Sequence, residues 1–273
     1  MIIDFHTHIF PDKIAGVTVE ALSKSASIPA HSNGALDGLI AQMKKSGVDI
    51  SVNLPVLTRA KQLDSVMSFA KEINTKTYTG PRVISFAGMH PDVDEPEEAL
   101  ERIKKEGFLG IKLHPDYQGT FFDDEKYIRI LSCAKRLDLI TVTHAGFDGA
   151  FVGQPIKCTP KRVLNLLDRI GGYDKLVLAH LGGNELFGEV LRDLAGESVY
   201  FDTSYVLKSI DRDFFEKILS KHTEDKILFA TDSPWQEQSE QVEILKSYRL
   251  GDKTENKIFS GNAKKLLKLD AAY

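Results

Sequence analysis

The chain has 273 residues, 42% of them hydrophobic and 27% charged, so it can bury one large core without disulfides or an obligate partner. Its 39 acidic and 35 basic residues are mixed along the length and leave a formal net charge of −4. No basic stretch could neutralise a run of phosphates, which excludes nucleic acid as a partner. No stretch reaches the roughly 18 apolar residues a membrane span needs, and MIIDFHTH at the start has no positive region followed by an apolar one. A cytoplasmic protein that acts on a small molecule, away from membranes, is expected, and the composition allows a homo-oligomer.

Short apolar, β-branched runs recur in chain order at residues 1–5, 50–54, 83–88, 109–113, 139–143, 176–179, 199–201 and 227–230, eight predicted strands. Between them apolar residues return at helical spacing, as in Leu36, Leu39, Ile40 and Met43, then Ala99 and Ile103, then Ile128, Leu131 and Ala134. The pattern continues with Val163, Leu166, Leu167 and Ile170 and with Phe214, Phe215, Ile218 and Leu219. Asp94 with Pro96, Thr159 with Pro160, and Asp211 supply helix-opening signals. Residues 9–34 and 145–158 read as long loops, and long loops on the C-terminal face of a barrel shape active sites. Residues 242–248 and 257–269 read as helices that close the bottom of the barrel or its side. Cys133, in a helical pattern, and Cys158, in a polar loop, lack a nearby ligand pair and read as free thiols.

Strands that alternate with helices imply a parallel sheet, and uninterrupted apolar runs imply strands covered on both faces. Eight such units in roughly the 250 residues typical of the fold predict an α/β protein, a single-domain (β/α)8 TIM barrel over residues 1–273. An open dinucleotide-binding sheet would carry a glycine-rich turn after its first strand, where this chain has HTHIFP.

Six of the eight histidines stand at or just past a predicted strand end: His6 and His8, His90, His114, His144 and His180, with Asp232 after the last strand. Those ends converge on one cavity in a barrel. His6 and His8, two apart on an extended segment, project from one face. With His144 and Asp232 they make a donor set that suits a divalent metal, zinc first, with a position left for water. His90 and His114, each followed by Pro, are either substrate contacts or strand-terminating turns. Trp235 is either an apolar wall of the pocket or a core residue, and His31 and His222 read as surface residues.

The segments FHTH at 5–8, GIKLHP at 110–115, VTHAG at 142–146, LAHLGG at 178–183, ATDSPW at 230–235 and GNAKKLL at 261–267 resemble the amidohydrolase superfamily. More narrowly, the chain is similar to its amidohydrolase-related branch, which holds aminocarboxymuconate-semialdehyde decarboxylase and related aromatic acid decarboxylases. The resemblance spans almost the whole chain, in order. It implies His6, His8, His144 and Asp232 as metal ligands, and His180 as the residue that acts on the bound water or the substrate. Lys112 stands where some superfamily members carry a lysine that bridges two metals, so one ion is expected and a second is open; otherwise Lys112 contacts a carboxylate or a substrate acid group.

The expected reaction is hydrolysis of a small amide, ester or lactone by metal-activated water, with Asp232 moving the proton and His180 steadying the oxyanion. The alternative is a metal-dependent non-oxidative decarboxylation of a small unsaturated or aromatic acid, a carboxy-lyase reaction at the same strand ends.

Overall fold

A computed structural model describes residues 1–269; residues 270–273 of the expected domain lie outside the described residues. The strands are β1 (Ile3–Thr7), β2 (Ile50–Asn53), β3 (Arg82–Ser85), β4 (Ala87–Gly88), β5 (Gly110–Leu113), β6 (Ile140–Thr143), β7 (Leu176–Leu178), β8 (Tyr200–Asp202) and β9 (Ile227–Leu228). All pairings between them are parallel. β3 and β4 are the two halves of the stave expected over 83–88, interrupted at Phe86. The sheet continues across the break, because Phe86 N donates to Asn53 O at 3.0 Å and Met89 N to Lys112 O at 3.1 Å.

The last stave returns to the first. Phe5 N donates to Phe229 O (2.9 Å), Asp232 N to His6 O (2.8 Å) and His8 N to Ser233 O (2.6 Å), and Thr7 bridges Ser233 in parallel. Eight staves thus form a (β/α)8 barrel with no open edge.

The helices are α1 (Asp12–Ala26), α2 (Leu36–Ser46), α3 (Leu63–Thr75), α4 (Pro96–Lys105), α5 (Glu125–Arg136), α6 (Pro160–Ile170), α7 (Phe187–Glu189), α8 (Arg212–His222), α9 (Gln238–Ser247), α10 (Asp252–Asn256) and α11 (Asn262–Leu267). None among the described residues is long and apolar enough to cross a membrane. α6 shows the local logic: Thr159 accepts from Arg162 N, Pro160 opens the first turn, and Gly171 closes the helix at φ 66°. Asp211 likewise caps α8 through Asp213 N and Phe214 N. Asp94 does not cap α4, whose N-cap is Glu95 with Pro96 in the first turn.

Two layers of packing result. Ile3, Phe5, Val52, Ile84, Phe86, Val142, Val177 and Leu228 fill the barrel, and Leu266 and Leu267 of α11 join them from below, so the expected terminal helix closes the bottom. Ile111, Leu113 and Leu178 face outward against Leu100, Tyr127, Leu131 and Leu166 of the helices.

Three expectations change. Most of the loop expected over 9–34 is α1, whose helical period is blurred because Ala15 and Val19 are buried while Ile14 (48% exposed) and Val17 (67%) face solvent. His222 is no surface residue: it is buried and stacked on Phe201 at 3.7 Å. Cys158, though between helices, is fully buried, and both cysteines are free.

Candidate active site

β1 carries an irregularity that sets the site. Ile3 pairs with Ile50 and Asp4 with Ser51, but Thr7 pairs with Asn53, so β1 spends one more residue than β2 over the same span. This bulge lets the adjacent residues Phe5 and His6 both turn inward. Phe5 packs with Phe86 (6.1 Å, edge-on), while His6 Nε2 reaches Lys112 Nζ at 3.0 Å.

Around that point the ring nitrogens have assigned roles. His8 Nδ1 lies 2.8 Å from Leu54 O, a carbonyl that only accepts, so Nδ1 bears the proton and Nε2 the lone pair. His6 Nδ1 donates to Asp202 Oδ2 at 2.9 Å and likewise leaves Nε2 bare. The two Nε2 atoms are 3.1 Å apart, and Asp232 Oδ1 is 3.1 Å from that of His8 and 3.5 Å from that of His6. Lone pairs and a carboxylate oxygen held this close repel each other unless a cation lies among them, and two imidazoles with a carboxylate suit a divalent ion.

Electrostatics favour the ligand forms. Burial, then Lys112, pulls His6 down to about 4, and burial brings the Lys112 ammonium down to about 8. Burial alone would raise Asp232, yet His6 and His8 hold it well below the usual carboxylate range. Asp202 would rise for the same reason but is held at about 2, chiefly by His6.

His144 and His180 lie across the cavity. His180 Nδ1 donates to Ser204 O (2.9 Å), its backbone N–H donates to Asp202 Oδ1 (3.0 Å), and its Nε2 is 2.9 Å from His144 Nδ1. The structure therefore brings His6, His8 and Asp232 to a common centre and sets His144 against His180, whose ring lies 5.6 Å from that of His6. His114 stacks on His144 (4.3 Å, 7°), and its Nε2 stands 3.4 Å from Asp148 Oδ2. His90 is a turn residue: its Nδ1 accepts from Asp92 N at 3.1 Å, and its ring bonds the Thr58 backbone. Trp235 is half-buried, tied through its backbone N–H to Asp232 O at 2.9 Å.

His180 (φ 59°), Tyr205 (φ 65°) and Asp232 (φ 65°) all adopt left-handed backbone, a conformation that costs non-glycine residues about 1–3 kcal/mol and gathers at functional sites. The His180–Asp202 and Asp232–His6 backbone bonds hold two of them there.

Asp202, Ser204, Tyr205, Tyr117, Asp116 and Asp148 were absent from the expected site. Asp202 stands just past the predicted strand end at Phe201, in the same register as the histidines, but the strand-end reading followed histidines and Asp232 and passed over it. Tyr117 stands edge-on to His114 (4.7 Å) and to Phe151 (4.9 Å), and Tyr205 edge-on to His180 (6.4 Å). They add aromatic surface near the histidines.

The chain is similar in structure to 2,6-dihydroxybenzoate decarboxylase from Rhizobium, with a TM-score of 0.75 and 18% identity over 99% of each chain. It is similar to dihydroxybenzoic acid decarboxylase from a Polaromonas species with bound manganese and 2-nitroresorcinol, with a TM-score of 0.74 and 17% identity over 99% of this chain and 98% of that one. It is also similar to a putative amidohydrolase from Staphylococcus aureus, with a TM-score of 0.65 and 20% identity over 98% of this chain and 99% of that one. At these identities the likeness shows the fold. No curated protein sequence matches the chain. The amidohydrolase family model matches residues 3–269, from the first residue of β1 past the end of α11, and the chain belongs to that family of enzymes.

Proposed function

We propose that the protein is a divalent-metal-dependent, non-oxidative decarboxylase of a small aromatic or unsaturated carboxylic acid. The observation that carries this reading is Lys112: its ammonium is 1% exposed, contacts His6 Nε2, and among the described residues makes no ion pair. Asp202 and Asp232 act on this cation without making a contact ion pair with it, so its ammonium keeps donors for an anionic ligand, and a substrate carboxylate satisfies them. The structural likeness to decarboxylases adds support, as does the aromatic surface of Tyr117 and Tyr205. Hydrolysis by metal-activated water, the first expectation from sequence, would use the same donor set, and the isotope experiment below separates the two reactions.

His6, His8 and Asp232, with His144, would hold the ion. When bound, it supplies a Lewis acid that draws charge from the substrate's oxygens. Lys112 binds the acid group, and the pocket's burial excludes water from the carbon about to change. The bond from that carbon to the carboxylate breaks, its electron pair stays on the carbon, and His180, having first taken a solvent proton on Nε2 while Nδ1–H stays bonded to Ser204 O, delivers that proton to the carbon as carbon dioxide leaves. Asp202, which accepts from the His180 backbone N–H, and Ser204 O, which accepts from Nδ1, keep the ring aimed inward.

Turnover of hydroxybenzoic and unsaturated acids by manganese- or zinc-loaded protein, run separately in deuterium oxide and in oxygen-18 water, tests the assignment. Carbon dioxide release with deuterium at the vacated carbon and no oxygen-18 in the product is expected. A labelled hydrolysis product without carbon dioxide overturns it in favour of hydrolysis.

A further inference from the structure

Two polar atoms next to this site are sealed from solvent and have no hydrogen-bond partner: His144 Nε2 and Asp116 Oδ2. Both residues are 5% exposed, and the two atoms face each other at 3.9 Å. An unsatisfied buried polar group costs about 1–3 kcal/mol. Other such atoms occur singly among the described residues, at Ser23, Gln42, His222, Gln238 and Gln241; a facing pair implies a bond that forms when the site closes up, since hydrogen bonds at catalytic centres are often long before the site is loaded.

The other rings indicate which way this bond runs. His6 donates outward from Nδ1 to Asp202, His8 from Nδ1 to Leu54 O, and His180 from Nδ1 to Ser204 O. Each keeps its remaining nitrogen for the cavity. His144 has the ring turned over: Nδ1 faces the cavity and His180, and Nε2 faces outward. If Nδ1 carried the proton, the bare Nε2 lone pair would confront a buried carboxylate, which is repulsive. If Nε2 carries it, the pair becomes a charge-assisted hydrogen bond and the Nδ1 lone pair points inward; it then faces the bare His180 Nε2 at 2.9 Å, a second close pair of lone pairs that a cation or a proton on His180 must separate.

We propose that Asp116 is a positioning residue that fixes His144 as the Nε2–H tautomer and so presents its Nδ1 lone pair to the metal centre. This inference rests on the metal-site reading above. Asp148, the other carboxylate nearby, has a different partner. His114 Nδ1 accepts from Tyr117 N (3.5 Å), which leaves the His114 Nε2 proton to face Asp148 Oδ2. In the His114, His144 and Asp148 group the His114 Nε2–H thus faces its own acceptor, Asp148, and Asp116 is left to His144.

The experiment has two readouts. In zinc-loaded protein, nitrogen-15 NMR of the His144 ring should show the proton on Nε2. In competition with a chromophoric chelator, Asp116→Ala should weaken zinc binding about 10–100-fold, Asp116→Asn, which keeps an acceptor, should weaken it less, and Asp148→Ala should change it little. A His144 proton on Nδ1, unchanged zinc affinity in a folded Asp116→Ala, or equal losses in Asp116→Ala and Asp148→Ala each overturn the proposal. If Asp116→Ala does not fold, the wild-type tautomer decides. Failure of the wild type to bind zinc would instead overturn the metal-site reading.

Discussion

His6 Nδ1 and Asp202 Oδ2, 196 residues apart in sequence, lie 2.9 Å apart with both side chains sealed from solvent. β1 and β8 lie on either side of β9 in the barrel, so this bond reaches across one stave and ties His6 to the strand that also orients His180. Asp202 accepts from His6 Nδ1, from His180 N and from Ser204 N. Its loss therefore strips several donors at once.

Asp202→Ala is expected to lower metal affinity about 10–100-fold and to destabilise the fold by about 1–3 kcal/mol, because buried donors lose their acceptor. Chelator competition and urea unfolding measure the two effects. Unaltered metal affinity in this variant would mean that His6 is oriented by Ser204 alone.

Lys112→Met replaces an unpaired buried ammonium with an apolar chain of similar length. Stability should hold or rise, since burying that charge is costly. The KM for a carboxylate substrate should increase about 10–100-fold, the loss of a charge-assisted hydrogen bond. Steady-state kinetics with thermal unfolding separates these, and a rise in KM without any gain or retention of melting temperature would point to a structural role.

Replacing both His6→Ala and His8→Ala should abolish metal binding and turnover while leaving the barrel folded, because the stabilising layers lie below these residues. Metal analysis and circular dichroism report each outcome. Global unfolding would make the ion structural.

Acid sensitivity should trace in part to His222. Burial against Phe201 lowers it from 6.5 to about 4, so between those values the unfolded chain takes up a proton that the folded one refuses. Its contribution is fully present above pH 6.5 and is lost as the pH falls toward 4, by about 3 kcal/mol. His222→Gln should flatten this limb in urea titrations between pH 7 and 4.5. An identical slope in the variant would place the sensitivity elsewhere.

The staves were legible because strands covered on both faces must be apolar throughout, and the cluster at the mouth because a barrel gathers its strand ends. His6, His8, His180 and Asp232 needed only that rule. Asp202 satisfied the same rule and escaped because a lone aspartate at a strand end is a weaker signal than a run of histidines, and α1 escaped through the exposed Ile14 and Val17, which break its apolar stripe. Asp116 and Asp148 carried no signal, since a carboxylate in a loop reads as solvated until its neighbours are known. His222 looked exposed because Lys221 and Thr223 beside it are polar, whereas its ring alone turns onto Phe201.

The extra residue in β1 makes the site sensitive to chain length as well as to side-chain identity. Alternation along a strand normally obliges consecutive residues to serve opposite faces. Here the hitch between Asp4 and Thr7 frees Phe5 to plug the barrel while His6, its immediate neighbour, serves the chemistry above it. Shortening this stretch by one residue would restore strict alternation and swing His6 toward the helical shell, leaving every ligand present in the sequence and the donor set broken in space.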